Sequence, residues 1–282
     1  MRVPRILLAA GASGSGKTLI TCGLLQVMQN RKIKTASFKC GPDYIDPMFH
    51  SKVIGTKSRN LDTFFAGEPV VRYLLEKNME GMELAVMEGV MGYYDGVGGT
   101  TTQASAYDLA RVTETPVILI VNAKGMSVSL AAYVKGFLGY RKDSQIRGVI
   151  FNQMSPMLYP RMKRLVEEEL GIHVYGYVPK VEDCQIESRH LGLVMPDEVE
   201  DLQKKLKRLA QVLEDSLEID GILKLAGSAR KLPVEDLTRE NPAFAFRLDH
   251  PVRIGVARDE AFCFFYEDNL QLLRDKEVKL VE

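Results

Sequence analysis

Several features that would direct this 282-residue chain to particular partners are missing from its sequence. Lysine plus arginine equals aspartate plus glutamate, 37 of each, so no net charge favours nucleic acid or a membrane surface. The four cysteines are widely spaced and form no C-x-x-C pair, which argues against structural zinc and a disulfide framework. The first apolar run has only about six residues, and no later run approaches the ~18 residues of a membrane span. We therefore expect a cytoplasmic protein without a nucleic-acid or membrane partner.

What the sequence does contain is a series of short apolar runs with amphipathic stretches between them. The runs are RILLAA (5–10), KTASFK (34–39), ELAVME (83–88), PVILIV (116–121), IRGVIF (146–151) and HVYGYV (173–178). Strands that are apolar on both faces and alternate with helices predict an α/β fold, with a mainly parallel sheet covered by helices on both faces. Because ligands of such sheets bind beyond the carboxyl ends of the strands, the candidate site residues are those that follow each run.

The motif GASGSGKT (11–18) fits G-x-x-x-x-G-K-[ST] and lies between a predicted strand and a predicted helix over 17–30. Backbone N–H groups of this loop can cradle phosphates, Lys17 can reach the β- and γ-phosphates, and Thr18 can ligate Mg²⁺. The residues predicted to bind nucleotide here are Gly11, Ser13, Gly14, Ser15, Gly16, Lys17 and Thr18. The motif predicts a fold of the P-loop NTPase type, with ATP and Mg²⁺ as cofactors.

Polar residues after other runs are further candidates. Glu88 ends a buried run, in the usual Walker-B position with Glu in place of Asp. Asp62 and Asp95 are also candidates, although aspartate in such places also caps helices and forms turns. Asn152, at the end of GVIFN, is either an adenine contact or a turn residue, and Pro179 in GYVPK could flank the base.

Positive and polar side chains near strand ends favour an acidic substrate. Lys39, Arg59, Arg189 and His190 would bring positive charge to the open edge of the sheet. His50, like His190, follows a strand end in a dense polar cluster. No G-x-S-x-G or G-x-C-x-G elbow occurs, so no protein nucleophile for acyl transfer is predicted.

The stretch GPDYIDPMFH (41–50) directly follows the second run. Pro42 and Pro47 fix φ and should bias Gly41 and Asp46 towards extended conformations, which predicts a stiff loop at a strand end. This loop would present its tyrosine and aspartates to the γ-phosphate and the incoming carboxylate.

A set of motifs carries a family resemblance. The motifs are, in order, GASGSGKT, FKCGPDYIDPMFH, SRNLDTFF, MEGVMGYYDG, VNAKGMSVS, GVIFNQM, GYVPK and ESRHLGLVMPDE. Over about residues 3–282 the chain resembles the cobyrinic acid a,c-diamide synthases. The resemblance implies a P-loop domain similar to dethiobiotin synthetase, joined to a class I glutamine amidotransferase domain. It also implies that ATP phosphorylates the c and then the a acetate of cobyrinic acid, and that ammonia from glutamine converts each acyl phosphate into an amide.

The resemblance also implies roles for individual residues. The catalytic positions are Lys17, Lys39, Asp46 and Asp95, and the metal positions are Thr18, Asp62 and Glu88. Together with the positive groups above, the residues expected to hold substrate are Asp43, Tyr44, Asp46, His50, Arg59, Asp95, Arg189 and His190. Which of the aspartates 43, 46 and 95 contacts metal and which contacts substrate stays open.

The end of the chain resembles the opening of the amidotransferase domain. We expect a P-loop domain over 1–227, a linker over 228–250, and the start of a truncated amidotransferase-like domain over 251–282. The cysteine elbow of that domain would lie beyond residue 282, and Cys263 is not its nucleophile, so we expect no glutaminase activity. Ammonia would then be free or come from a separate subunit. A homodimer is left open.

Three alternatives remain beside this prediction. The substrate could be hydrogenobyrinic acid or nickel sirohydrochlorin, because the same motifs serve relatives in cobalt-free and nickel pathways. A partitioning or signalling P-loop ATPase is disfavoured, because no lysine precedes Lys17 in the loop. An inactive fragment that still binds nucleotide is the third.

Overall fold

Seven parallel strands form the central sheet of the computed structural model, which describes residues 3–181, 196–233, 237, 248–259 and 261–282. The sheet order is β3-β2-β4-β1-β5-β6-β7. The strands are β1 (Arg5–Ala10), β2 (Thr35–Cys40), β3 (Lys57–Leu61), β4 (Leu84–Glu88), β5 (Val117–Asn122), β6 (Ile146–Asn152) and β7 (His173–Val178). The predicted α/β fold with a parallel sheet is confirmed.

Helices cover both faces of this sheet. They are α1 (Lys17–Asn30), α2 (Ile45–Phe49), α3 (Glu68–Asn78), α4 (Ala106–Val112), α5 (Ser129–Tyr140), α6 (Tyr159–Leu170), α7 (Pro196–Ser216) and α8 (Ile219–Gly227), and a π-helical turn, His50–Ile54, follows α2. Alternate residues of β1 point to opposite faces, as the pleat requires. Leu7 belongs to the core built with α3 to α6, whereas Ile6 and Leu8 belong to the core built with α1, α7 and α8.

Strand β3 was not among the predicted runs. Its sequence, KSRNL, is mostly polar, and it lies at the edge of the sheet beside β2. An edge strand has only one neighbour and need not be apolar on both faces, so it leaves no continuous apolar run in the sequence.

Helices α7 and α8 follow each other closely and are separated where the chain crosses β7. Leu217, between α7 and α8, forms a bridge with Gly176 of β7. A Cβ atom on Gly176, whose φ is +128°, would lie 2.3 Å from the Ser216 carbonyl oxygen. A glycine in β7 therefore lets the chain between the two helices pass against the sheet.

The last residues form a small unit of their own, with β8 (Arg253–Gly255), α9 (Glu267–Asp275) and β9 (Lys279–Val281), and the two strands pair in parallel. This unit packs on the loop after β2, because the Tyr44 ring stacks on Tyr266 at 5.1 Å and lies 5.5 Å from Phe264. Asn78 of α3 also donates a hydrogen bond of 2.9 Å to Asp268.

Within the described ranges, no helix is both long enough and apolar enough to cross a membrane.

Candidate nucleotide and substrate site

The loop between β1 and α1 has the backbone geometry of a phosphate cradle. Gly14 and Gly16 have φ values of +73° and +96°, the left-handed region that glycine adopts without strain. A Cβ atom on Gly16 would lie 2.2 Å from Asn152 Nδ2, so the loop also needs glycine for space. The loop ends at the N-terminus of α1, where free N–H groups and the helix dipole favour an anion.

Lys17 is the first residue of α1 and lies across this loop. Its Nζ donates to the carbonyl oxygens of Ala12 at 3.1 Å and Met91 at 2.5 Å. Burial lowers the pKa of Lys17, and the nearby Glu88 carboxylate partly opposes this effect. The ammonium group is thus held at the loop by neutral acceptors, with no carboxylate of the described residues bonded to it, and is available to a phosphate.

Glu88 connects the phosphate loop with β2. Its Oε1 accepts hydrogen bonds from Thr18 Oγ1 at 2.6 Å and from Lys39 Nζ at 2.8 Å. Lys39 and Glu88 are direct partners in the β2–β4 ladder, which explains why their side chains meet. Glu88 is fully buried, and its Oε2 has no hydrogen-bond partner among the described residues. The Oε1 carboxylate oxygen of Glu88 and the hydroxyl of Thr18, which lie side by side, are a donor set of the type that Mg²⁺ prefers, so these two residues fit the ion.

Lys39 is the positive centre of the site. Its Nζ lies 2.5 Å from Asp46, 2.8 Å from Glu88 and 3.5 Å from Asp43. Burial opposes the charge, but the three carboxylates together outweigh it and raise the pKa of Lys39. Burial also raises the pKa of Asp46, helped by the charge of Glu88 and opposed by that of Lys39. Lys39 therefore remains charged at neutral pH.

The prediction of an extended, stiff loop over residues 41–50 is wrong. Gly41 has a φ of +73°, and Asp46 lies inside the short helix α2. Pro47 is the third residue of α2, where a backbone N–H has no acceptor within the helix, so proline is tolerated there. Asp43 Oδ1 starts the helix by accepting from the N–H groups of Ile45 at 3.0 Å and Asp46 at 3.3 Å.

His50 was predicted to contact substrate, and the structure places it elsewhere. The side chain is fully buried, with Nδ1 at 3.1 Å from Ser37 Oγ and Nε2 at 3.7 Å from Glu88 Oε2. Burial lowers the pKa of His50 to about 4, so the ring is neutral at pH 7. Without exposed surface it lies behind the site and touches Glu88, which corrects the prediction of a direct substrate contact.

Arg59 in β3 and Asp62 just after it contact the small unit formed by the last residues of the chain. Asp62 accepts from the Phe64 N–H at 2.8 Å and from the Tyr266 hydroxyl at 3.2 Å. Arg59 Nε lies 3.6 Å from Asp268. Among the described residues, Asp62 has no hydrogen bond to Thr18 or Glu88. The part of the chain that the structure describes also contains no group of three or more His, Cys, Asp or Glu side chains placed to hold a metal.

The other predicted residues surround the phosphate loop. Asp95 accepts from the Gly92 N–H at 2.9 Å and lines a cavity of about 570 Å³ with Gly11. Asn152 Nδ2 donates to the Ser15 carbonyl at 2.8 Å, so in this structure it holds the loop. Pro179 directly follows β7 and is half-buried. Arg189 and His190 lie outside the described residues.

The sequence reading missed Asn60. Its Nδ2 donates to the carbonyl oxygens of Gly41 at 3.0 Å and Asp43 at 2.6 Å, and so ties β3 to the loop that carries Asp46. The one available signal was the motif SRNLD, of which the sequence analysis selects Arg59 and Asp62 but not Asn60.

We expect Asn60→Ala to loosen this loop. Both hydrogen bonds would be lost, at about 0.5–1.5 kcal/mol of unfolding free energy each, and the contact between Lys39 and Asp46 would become less fixed. In a turnover assay the KM of the acid substrate should rise several-fold, while the Kd of ATP changes little. Gln211→Ala, which removes an exposed amide bonded to Asp215, is the control. An unchanged KM in Asn60→Ala would contradict the clamp.

A second cavity, of about 720 Å³, opens beside the loop after β2. Asp43 and Asp62 line it, and much of its wall is apolar. Five exposed large hydrophobic residues contribute to this wall: Phe64, Phe65, Met91, Val97 and Phe264. Such a concentration of exposed apolar side chains at one place marks a binding surface.

Comparisons with known proteins identify the family of this chain. Residues 6–194 match the sequence family described as the CobQ/CobB/MinD/ParA nucleotide binding domain. The cobyrinate a,c-diamide synthase of Thermoplasma volcanium is 38% identical over 284 residues, covering 100% of this chain and 60% of the relative. The enzyme of the same name from Saccharolobus solfataricus is 39% identical over 273 residues, covering 96% and 60%. This chain thus spans about 60% of the length of these relatives.

Among solved structures, the signal recognition particle receptor FtsY from Elizabethkingia anophelis is similar with a TM-score of 0.49 and 10% identity, covering 73% of this chain and 66% of that chain. The resemblance to cobyrinic acid a,c-diamide synthases is confirmed by the sequence matches. The chain belongs to the CobQ/CobB/MinD/ParA nucleotide binding domain family.

Proposed function

We propose that this chain is the ATP-using part of a ligase that converts the c and a acetate carboxylates of cobyrinic acid into amides. The observation that carries the proposal is Lys39, a buried and charged lysine bonded to Glu88, which is bonded in turn to Thr18 of the phosphate loop. Phosphoryl transfer to a carboxylate brings two anions together, and a fixed cation between them reduces their repulsion. The names of the relatives supply the substrate.

The proposed reaction has two steps. A carboxylate oxygen of the substrate attacks the γ-phosphorus of ATP, the bond to the bridging oxygen breaks, and ADP leaves with an acyl phosphate formed. Ammonia then attacks the acyl carbon, loses a proton, and expels inorganic phosphate to give the amide. No protein nucleophile is needed. Glutamine is the proposed ammonia source in a protein that also has a glutaminase domain.

Each residue of the site has a part in the first step. The N–H groups of residues 12–18 and Lys17 would bind the β- and γ-phosphates. Thr18 and Glu88 would hold Mg²⁺, which supplies charge neutralisation on the phosphates. Lys39, only 3.5 Å from Asp43, would exchange this weaker contact for the substrate carboxylate. Asp43 and Asp46 would then orient the acetate arm through the loop that they anchor.

The apolar cavity favours a bulky acid over a small one. Its opening lies beside Asp43 and Met91, and Met91 is also the residue whose carbonyl holds Lys17. A macrocycle with acetate arms can lay its apolar face on the exposed phenylalanines and extend one arm towards Lys39. Asp43 and Tyr44, two of the residues predicted to hold substrate, line this cavity. The exposed apolar residues beside them are additional substrate contacts that the sequence alone did not indicate.

Replacing Phe65, which is 70% exposed at this cavity, by serine should weaken substrate binding. We expect the KM of the corrinoid to rise about 5- to 30-fold, because burying one phenylalanine contributes about 1.5–3 kcal/mol at most. The Kd of ATP and the midpoint of thermal unfolding should stay close to wild type. Phe262→Ser is the matched control, because Phe262 is 60% exposed but does not line the cavity. Equal KM values in the two variants would contradict the placement.

The experiment that tests the proposed function is ATP turnover with cobyrinic acid, Mg²⁺ and ammonium chloride, followed by mass analysis of the corrinoid. We expect ADP to form only when a corrinoid acid is present, with one OH replaced by NH₂ for each carboxyl converted. Hydrogenobyrinic acid and nickel sirohydrochlorin, run in parallel, identify the preferred tetrapyrrole. Turnover stimulated by DNA or membranes and not by any tetrapyrrole acid would overturn the proposal.

A further inference from the structure

A chain of buried polar groups extends from the Glu88 carboxylate into the sheet. His50 Nε2 faces Glu88 Oε2 at 3.7 Å, His50 Nδ1 lies 3.1 Å from Ser37 Oγ, and Ser37 Oγ donates to Ser58 Oγ at 2.7 Å. Ser37 and Ser58 are direct partners in the β2–β3 ladder. Backbone pairing therefore fixes the two serines at the end of this series of polar groups that lies away from Glu88.

Two atoms in this series of buried polar groups have no hydrogen-bond partner among the described residues. His50 Nε2 and Glu88 Oε2 are both buried and both lack a hydrogen-bond partner among the described residues. A closer approach of about 0.8 Å would make them a normal hydrogen bond. Leaving such buried atoms unpaired destabilises the folded state, and more so when one is charged, which favours closing this gap.

The serine hydroxyls determine which nitrogen of the neutral ring carries the proton. With Ser37 donating to Ser58, as in this structure, the ring proton lies on Nδ1. Rotation of the two hydroxyl hydrogens reverses the pair, so that Ser58 donates to Ser37, Ser37 donates to Nδ1, and the ring proton lies on Nε2. Only the second arrangement directs a donor at the buried carboxylate. The negative charge of Glu88 therefore favours it.

We infer that His50 is a positioning residue that donates from Nε2 to Glu88 Oε2 and so orients the carboxylate that holds Mg²⁺ beside Thr18. The inference rests on the magnesium nucleotide site of the proposed function. With Oε1 bonded to Thr18 and Lys39, the contact to Oε2 would fix the plane of the carboxylate. Outer partners of this kind typically contribute about 10- to 100-fold to metal affinity.

Two substitutions of His50 test the roles of its two ring nitrogens separately. His50→Asn keeps an amide near the position of Nδ1, where it can bond Ser37, and removes the group that faces Glu88. His50→Gln places its amide near the position of Nε2, where it can still reach Glu88. The measurement is calorimetric binding of ATP with Mg²⁺ and with EDTA, together with thermal unfolding of each variant.

We expect the magnesium-dependent gain in ATP affinity to fall about 10- to 100-fold in His50→Asn and to be largely restored in His50→Gln, with equal binding in EDTA. A gain that is unchanged in His50→Asn, or lost only in His50→Gln, would overturn the inference and leave the proposed function intact. A wild-type chain with no magnesium-dependent gain would overturn both the metal site and this inference. If His50→Asn does not fold, Ser37→Ala tests the same hydrogen-bonded series. We expect a smaller magnesium-dependent gain in ATP affinity in Ser37→Ala than in wild type, and an unchanged gain would overturn the inference.

Discussion

Lys17→Ala is expected to remove corrinoid-dependent ATP turnover, with a fall of about 100-fold or more. Lys17 lies at the phosphate loop, and its ammonium group donates to the carbonyl oxygens of Ala12 and Met91. The charge that develops on the transferred phosphoryl group would lose its closest protein cation. The rate of ADP formation with saturating cobyrinic acid and ammonium measures the effect.

The same variant should remain folded. Burial lowers the pKa of Lys17, which means that the folded environment disfavours the charged form. Lys135→Ala, which removes an exposed lysine of α5, serves as the control for loss of a positive charge. Turnover in Lys17→Ala that equals turnover in Lys135→Ala would show that the loop has been misread.

Lys39→Met is expected to reduce both stability and activity. It would leave Glu88 and Asp46 buried without their common cation, and breaking a buried ion pair from one side typically costs about 3–5 kcal/mol of unfolding free energy. Phosphoryl transfer to the substrate should also be lost, because no other positive group among the described residues is bonded to Glu88. Denaturant unfolding measures the first effect, and ADP formation measures the second.

The double variant Lys39→Met/Glu88→Gln separates these effects. Removing one of the uncompensated carboxylates should restore part of the unfolding free energy but none of the turnover. If Lys39→Met unfolds at the same denaturant concentration as wild type, the buried charge network does not stabilise the fold as described.

The stability deficit of Lys39→Met should shrink as the pH is lowered. Burial and Glu88 already raise the pKa of Asp46 in the folded wild type, and loss of Lys39 removes the main opposing charge. A carboxyl whose pKa is higher in the folded state binds its proton more tightly there, so stability is gained as the pH falls through the folded pKa towards the unfolded value near 4. Unfolding curves of the variant and the wild type at pH 5 and pH 8 measure this, the two pH values being chosen to lie about one unit and several units above that unfolded value. A deficit that grows at pH 5 would contradict it.

The parts of the fold that the sequence predicts are those with a strong local pattern. Strand β1 and helix α1 have a continuous apolar run and a helical spacing on either side of a motif with defined backbone chemistry, and both appear where expected. Strand β3 was missed, because an edge strand needs no such run. The loop after β2 was misjudged, because the cap formed by Asp43 outweighs the local preference imposed by Pro47.

The candidate site depends on contacts between strands that are distant in sequence. Strand β2 lies between β3 and β4, and this order brings Lys39 opposite Glu88 and Ser37 opposite Ser58. The sequence identified Lys39, Glu88 and Thr18 individually, from their places at strand ends and in the loop. It could not show that His50 is buried behind Glu88, because a histidine in a polar stretch has no pattern that distinguishes a buried position from an exposed one.

The central claim is that the phosphate loop directs the γ-phosphoryl group of ATP onto a carboxylate of the corrinoid. The most direct measurement follows a heavy-oxygen label placed in the acetate carboxylates of cobyrinic acid, with ATP, Mg²⁺ and ammonium chloride supplied. Because the acyl phosphate carries a carboxylate oxygen to phosphorus and ammonia then expels it, we predict one labelled oxygen in the inorganic phosphate for each amide formed. Amide formation with unlabelled phosphate, or phosphate release that does not depend on the corrinoid, would contradict the claim.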